Sequence, residues 1–270
     1  MTIFKAQLKQ DKIAFSIWTL SIVSLIAMCI FMYPSMQSQM DSVSEMFASM
    51  GAFSSAFGMD KLNFGTMLGF YAVECGNILG LGGCFYSCLY SINMLSKEEK
   101  EKTAEFLLSH PVKRSTVYLQ KLLAIFFEIT MLNLLTYVCS FICIKAIGET
   151  MDINSFNLIH LAYYLMQVEL MGLCYFISST NNKNNAGLGL GIGLLMYILN
   201  IMANISDKLE MVKYISPFGY CEASDILVNG SLDFAKILIA LIIFSLSLAA
   251  GYFIYYKKDI KLLFVLTSSI

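Results

Sequence analysis

The sequence predicts an all-α integral membrane protein of six transmembrane helices, and three observations carry that reading. Mean hydropathy is +0.68 over 270 residues, with 57% hydrophobic and only 14% charged residues, too apolar for a surface that must stay in water. Six separate stretches are long enough to cross a hydrocarbon layer, which takes about 20 mainly apolar residues per helix. Between them lie short, charged segments bearing turn and capping residues instead of any alternating strand pattern.

The spans fall at about 13–33, 67–95, 119–147, 156–178, 186–205 and 236–256, as one membrane domain over residues 1–270. Their apolar cores carry few charges: none in Ile13 to Tyr33, Glu74 in the second, Glu128 in the third, His160 and Glu169 in the fourth, and none in the last two. The first stretch has no small-x-small cleavage site after Tyr33 and is read as a span, not a removable signal peptide. With the N-terminus inside, thirteen of the eighteen Lys and Arg residues fall on the inner side, which predicts both termini in the cytoplasm.

Residues 1–12 place Phe4 and Leu8 one turn apart, with Lys5, Lys9 and Lys12 on other faces, and predict an interfacial elbow that turns upward into the first span. On the outer side, Met36, Met40, Val43, Phe47 and Met50 form a helical stripe whose soft Met side chains suit a hydrophobic substrate, although a stripe of this type more often packs on the protein's own outer end. Residues 206–232 predict two short outer helices between spans five and six, one capped by Ser206 and stopped by Pro217, the other running from Ser224 to Asn229 and Gly230.

The inner segment after the second span carries the most information. Ser96 and Glu99 have capping-box spacing, and Pro111 ends a helix near Ser109. Ala104, Leu107 and Leu108 then share one apolar face, while Glu98, Glu99, Glu101 and Glu105 outweigh Lys97, Lys100 and Lys102 on the others. Anionic lipid repels that balance, so a groove on a partner protein suits the helix better than a headgroup layer.

From Lys102 to Leu123 the sequence reads KTAEFLLSHPVKRSTVYLQKLL, which resembles the cytoplasmic segment between spans two and three of type-2 ABC transporter permeases. Thr103, Glu105, Leu107, Leu108, Ser109, Pro111, Val112, Arg114, Lys121 and Leu122 match the family pattern, with Lys102 where Gly is usual. ISPFGY at 215–220 is similar to the family's Ser-Pro-Phe turn. The resemblance implies a bacterial plasma-membrane permease that exports a hydrophobic or amphipathic substrate such as an antimicrobial peptide, drug or lipid. It also implies two copies of an ABC ATPase as partners, holding ATP and Mg, and a second permease copy or homologue. Glu101, Thr103, Ala104, Glu105, Leu107, Leu108, Ser109, Pro111, Val112 and Arg114 would form the ATPase-contacting coupling helix.

Read from the residues alone, the chain has no phosphate loop, since Gly-Lys never occurs, and neither H-E-x-x-H nor G-x-S-x-G is present. No catalytic residue, bound cofactor or metal ligand is assigned, and no basic face suits nucleic acid. The eight cysteines include no C-x-x-C pair and read as inert thiols. Glu74, Glu128 and Glu169, costly in lipid, are candidate residues of a translocation path or else interhelical hydrogen-bonders, with Asn77, Asn133, Tyr163 and Gln167 as available partners. An ATP-independent secondary transporter or channel using these acids is the rival reading. GLGLGIG at 187–193 offers two small-residue faces, Gly187 with Gly191 and Gly189 with Gly193, for close helix packing, as do Gly76 and Gly80.

Overall fold

The structure is a computed structural model that describes residues 2–37, 45–46, 49–97, 112–181 and 185–257. Among the described residues six helices are long and apolar enough to cross a membrane. They are α1 (Thr2–Met36), α3 (Met67–Asn93), α4 (Arg114–Ala146), α5 (Ile153–Thr180), α6 (Ala186–Ile205) and α8 (Phe234–Lys257), with short α2 (Ala52–Ala56) and α7 (Ala223–Asn229) between spans. Among the described residues there is no strand. We call the end of the bundle that holds residues 2, 97, 114 and 257 basal and the opposite end distal.

Helices α3 and α5 form the middle of the bundle, and small residues let them approach. A Cβ at Gly76 would lie 2.8 Å from the Tyr163 hydroxyl, one at Gly80 would lie 2.9 Å from the Tyr163 ring, and Gly83 sits under the Gln167 amide. Lipid tails are as apolar as leucine, so such close packing and interhelical hydrogen bonds, not water exclusion, hold spans together. Around this pair α4 packs on α1, α6 on α3 and α8 on α5. Helices α1, α6 and α8 keep long apolar faces exposed, as elements bordering lipid must.

The predicted elbow is not a separate helix: residues 2–36 form one continuous α1. No Gly or Pro interrupts it before Pro34, in its final turn, and at about 1.5 Å per residue it outreaches a hydrocarbon layer by several turns. Its basal extension is fastened to other helices. The N–H groups of Ile3 and Phe4, orphans of a first turn, donate to Gln120 Oε1 of α4 at 3.1 and 3.2 Å, and Gln7 and Asp11 are buried and hydrogen-bonded to each other.

Helix α3 contains a π-helical turn at Tyr71–Cys75, and Glu74 lies on it with its side chain exposed. Of the glycine faces in α6, only one meets another helix among the described residues. A Cβ at Gly189 would meet Ile92 and the Cys88 carbonyl, and one at Gly193 would meet Cys84, whereas Gly187 and Gly191 have nothing within 4 Å.

The distal connection between α6 and α8 differs in detail from its prediction. Residues Asp207–Tyr214 form a 3-10 helix whose start Ser206 does not cap, and Pro217 opens a further 3-10 turn, Pro217–Tyr220, capped by Ser216 through Phe218 N–H. Proline suits a first helical position because the N–H it lacks would be unpaired there. Helix α7 ends as expected at Asn229 on a left-handed Gly230, φ 63°. Pro217, Phe218, Gly219 and Tyr220 are all buried, so this connection is a wedge inserted into the distal mouth of the bundle. Of the predicted Met stripe, Met40, Val43 and Phe47 lie outside the described residues, while Met36 and Met50 are exposed.

A candidate coupling latch and the intramembrane acids

Of the predicted partner-contacting residues, Glu101, Thr103, Ala104, Glu105, Leu107, Leu108, Ser109 and Pro111 lie outside the described residues, as does the cap partner Glu99. The structure does place both ends of the chain that carries them. At the entrance, Leu95 N–H donates to Ser178 Oγ of α5 at 2.9 Å, and the Met94 carbonyl accepts from Lys121 Nζ of α4 at 2.6 Å. Lys97 faces Asp11 of α1 at 3.6 Å, and Asn93 Oδ1 accepts from Asn185 N–H just before α6. Ser96 turns its hydroxyl back to the Asn93 carbonyl at 3.5 Å. At the exit, Val112 packs against the core, and Arg114 Nη1 donates to the Tyr256 carbonyl of α8 at 3.2 Å.

Burial makes these contacts consequential. Ser178 is 0% exposed and Lys121 1%, so neither donor nor acceptor there can fall back on water. The chain on either side of residues 98–111 is thereby fastened, residues 94–97 to α1, α4 and α5 and Arg114 to α8. Sequence reasoning matched Lys121 to a motif but missed Asp11, Ser178 and Gln120, whose partners are 80 or more residues away. The only local signal was Gln7 and Asp11 sharing one face of α1 between lysines.

The three intramembrane acids are not brought together. Glu128, 3% exposed, accepts from the Tyr86 hydroxyl at 2.8 Å. Glu169, also 3% exposed, accepts from Tyr220 of the distal wedge at 2.9 Å. Glu74 stands exposed on its π turn, a helical irregularity found often at functional sites. The partners expected from sequence do other work. Asn133 donates to Gln167 at 2.7 Å, Asn77 donates to the Val73 carbonyl, and Tyr163 packs on the α3 glycines. The reading named one phenol, Tyr163, among the partners but not Tyr86 or Tyr220, because tyrosines in spans also mark interfaces.

His160 Nε2 lies 2.8 Å from the Tyr71 hydroxyl, itself donating to Ser140 at 2.9 Å, within a ring cluster with Tyr137 and Phe156. Among the described residues no three His, Cys, Asp or Glu side chains are grouped to hold a metal ion.

A family model described as ABC-2 family transporter protein matches residues 4–260. Comparison with curated proteins gave no match.

Proposed function

The chain belongs to the ABC-2 family of transporter proteins, and from that premise we propose that it is the pathway-forming half of an exporter driven through segment 98–111. Membership makes it the membrane subunit of an ABC transporter, a multi-pass protein that is not itself catalytic and whose family works with a partner ATPase. The remainder is our reading. Two ATPase copies bind ATP and Mg beneath the basal end, which faces the bacterial cytoplasm. Two permease copies, or this chain and a homologue, enclose the path across the plasma membrane, and the cargo is hydrophobic or amphipathic.

The observation that carries this reading is the latch. The described residues flanking segment 98–111 are fastened to α1, α4, α5 and α8, which supports passage of a force on that segment to those helices. Packed helices respond to such a push as rigid bodies. ATPase closure against Leu107 and Leu108 is therefore passed to the spans instead of being absorbed in a loop. In the same reading Glu74 faces the path, and Glu128 and Glu169 set the helices that line it.

The test is co-purification. Exchanging both Leu107 and Leu108 for Asp is expected to abolish ATPase capture from detergent while the permease still elutes as a folded, monodisperse species. Undiminished capture by that variant would remove the coupling assignment.

A further inference from the structure

At the distal end, α6, the residues after α2 and those opening α7 enclose a recess of about 260 Å³ with Glu222 in its wall. Glu222 Oε2 accepts from the side-chain amides of Asn200 and Asn204 at 3.1 and 3.0 Å, and the Asn204 amide also reaches the Ala56 carbonyl at 3.2 Å. These bonds fix which way both amides point, because reversing either would set its carbonyl oxygen against the carboxylate. The Oδ1 atoms of Asn200 and Asn204 are then left buried with no hydrogen-bond partner, and so is the Oγ of Ser224. Ser224 is 1% exposed and Asn200 5%. Buried polar groups are nearly always paired, so three orphans around one carboxylate need a cause.

Both amide orphans are acceptors only, and the remaining carboxylate oxygen is another acceptor. Glu222 Oε1 and Ser224 Oγ turn toward Gly58, a left-handed residue at φ +65°. A Cβ on Gly58 would lie 2.8 Å from Glu222 Oε1 and run into Ser224 Oγ, so the glycine keeps the recess open. Asp60, Glu210 and Glu222 line it against Lys61 and Lys213, and Lys61 is already held by Asp225 at 2.8 Å. The lining asks for a donor-rich cation.

We propose that this recess binds a primary ammonium group, whose three N–H donors meet Glu222 Oε1, Ser224 Oγ and the Oδ1 of Asn204, the asparagine that lines it. A divalent metal is ill suited: it takes six or more oxygens with several carboxylates, and no such group of acids is assembled here among the described residues. Size limits the ligand too. The adjoining pocket between Phe57, Tyr163, Tyr197 and Phe218 adds only about 40 Å³, small beside the recess itself. The site is therefore a dock for the head of an amine, with any longer tail directed outward. It stands on its own geometry and needs neither an ATPase nor transport.

The test uses the purified full-length chain in lipid nanodiscs and saturation-transfer NMR with ethylammonium chloride at constant ionic strength. Saturable binding is expected for the parent chain and for Glu149→Gln, which removes a distal acid outside the recess. Glu222→Gln is expected to weaken binding at least tenfold and Ser224→Ala several-fold. Ser224→Ala deletes a hydroxyl without a hydrogen-bond partner, so it is expected to fold and decides the matter should Glu222→Gln fail to. Tetramethylammonium, which has the charge but no N–H, is expected not to saturate. Parent-like ethylammonium binding by Ser224→Ala, or equal binding of tetramethylammonium, overturns the proposal.

Discussion

Ser178 and Ser179 are neighbours in the last turn of α5, both 0% exposed, and the latch predicts that losing one hydroxyl is serious and losing the other is not. Ser178 Oγ accepts the Leu95 N–H at 2.9 Å, where the chain leaves α3 and has no helical carbonyl to bond. Ser179 Oγ donates to the Phe176 carbonyl of its own helix at 2.6 Å, an acceptor the helical ladder can also serve. Ser178→Ala leaves a buried amide unpaired, at a cost of about 1–3 kcal/mol. That is roughly a 5- to 150-fold rise in the population with the latch open. Ser179→Ala forfeits one local bond, worth about 0.6 kcal/mol in a membrane protein, or roughly threefold. Hydrogen exchange resolved to the Leu95 amide reads the difference directly. Equal protection of Leu95 in the two variants would show that this end of the segment is not held where we place it.

The other expectations follow from packing and charge. In α6, Gly189→Ala drives a Cβ to 2.9 Å from Ile92 and 3.0 Å from the Cys88 carbonyl, whereas Gly191→Ala meets nothing within 4 Å. The first is expected to cost about 1–3 kcal/mol in SDS-induced unfolding and the second to be neutral or gain up to about 1 kcal/mol. Burial holds the Glu222 carboxyl above the usual carboxylate range, against the pull of the Asn204 and Asn200 amides. The folded chain thus keeps this proton more tightly than the unfolded one, so the associated stability is complete below the ordinary carboxylate range and is lost as pH rises through the folded value. Glu222→Gln should flatten that part of a thermal-unfolding profile taken between about pH 4 and 8.

What the sequence made legible follows what each inference needed. The six spans rest on local composition and came through with modest changes at their ends. The elbow failed because a lysine-bearing amphipathic start looks the same whether it lies on lipid or on another helix. Gln120 and Lys97 decide that question from across the fold. The acids were recognisable as groups that must find partners, yet Tyr86 and Tyr220 are fixed by how α3 and the wedge pack. The π turn under Glu74 is a shift in helical register imposed by neighbours, and no residue in YAVEC announces it. Two glycine faces on α6 were readable, but which one meets α3 is a question of rotation about the helix axis. The Glu222 recess left no trace at all, since a glutamate in a polar connection is ordinarily solvated.

The position of α5 explains why a basal push would be felt distally. Its last turn holds the latch through Ser178, its middle meets α3 at Tyr163 and Gln167, and a Cβ at Gly172 would touch the Phe244 ring of α8 at 2.5 Å. Toward the distal side, Glu169 takes the Tyr220 hydroxyl, and the Ala162 carbonyl takes the Cys221 thiol at 3.1 Å. One unbroken helix of 28 residues, with no proline or π turn to absorb strain, thus grips both the segment that would receive force and the wedge that fills the distal mouth. A tilt of α5 started at Leu95 must either drag the wedge or break two buried hydrogen bonds, each costing more than thermal energy. Keeping both bonds ties the wedge to any tilt of α5, and in the reading proposed above that would link closure at the base to the distal mouth.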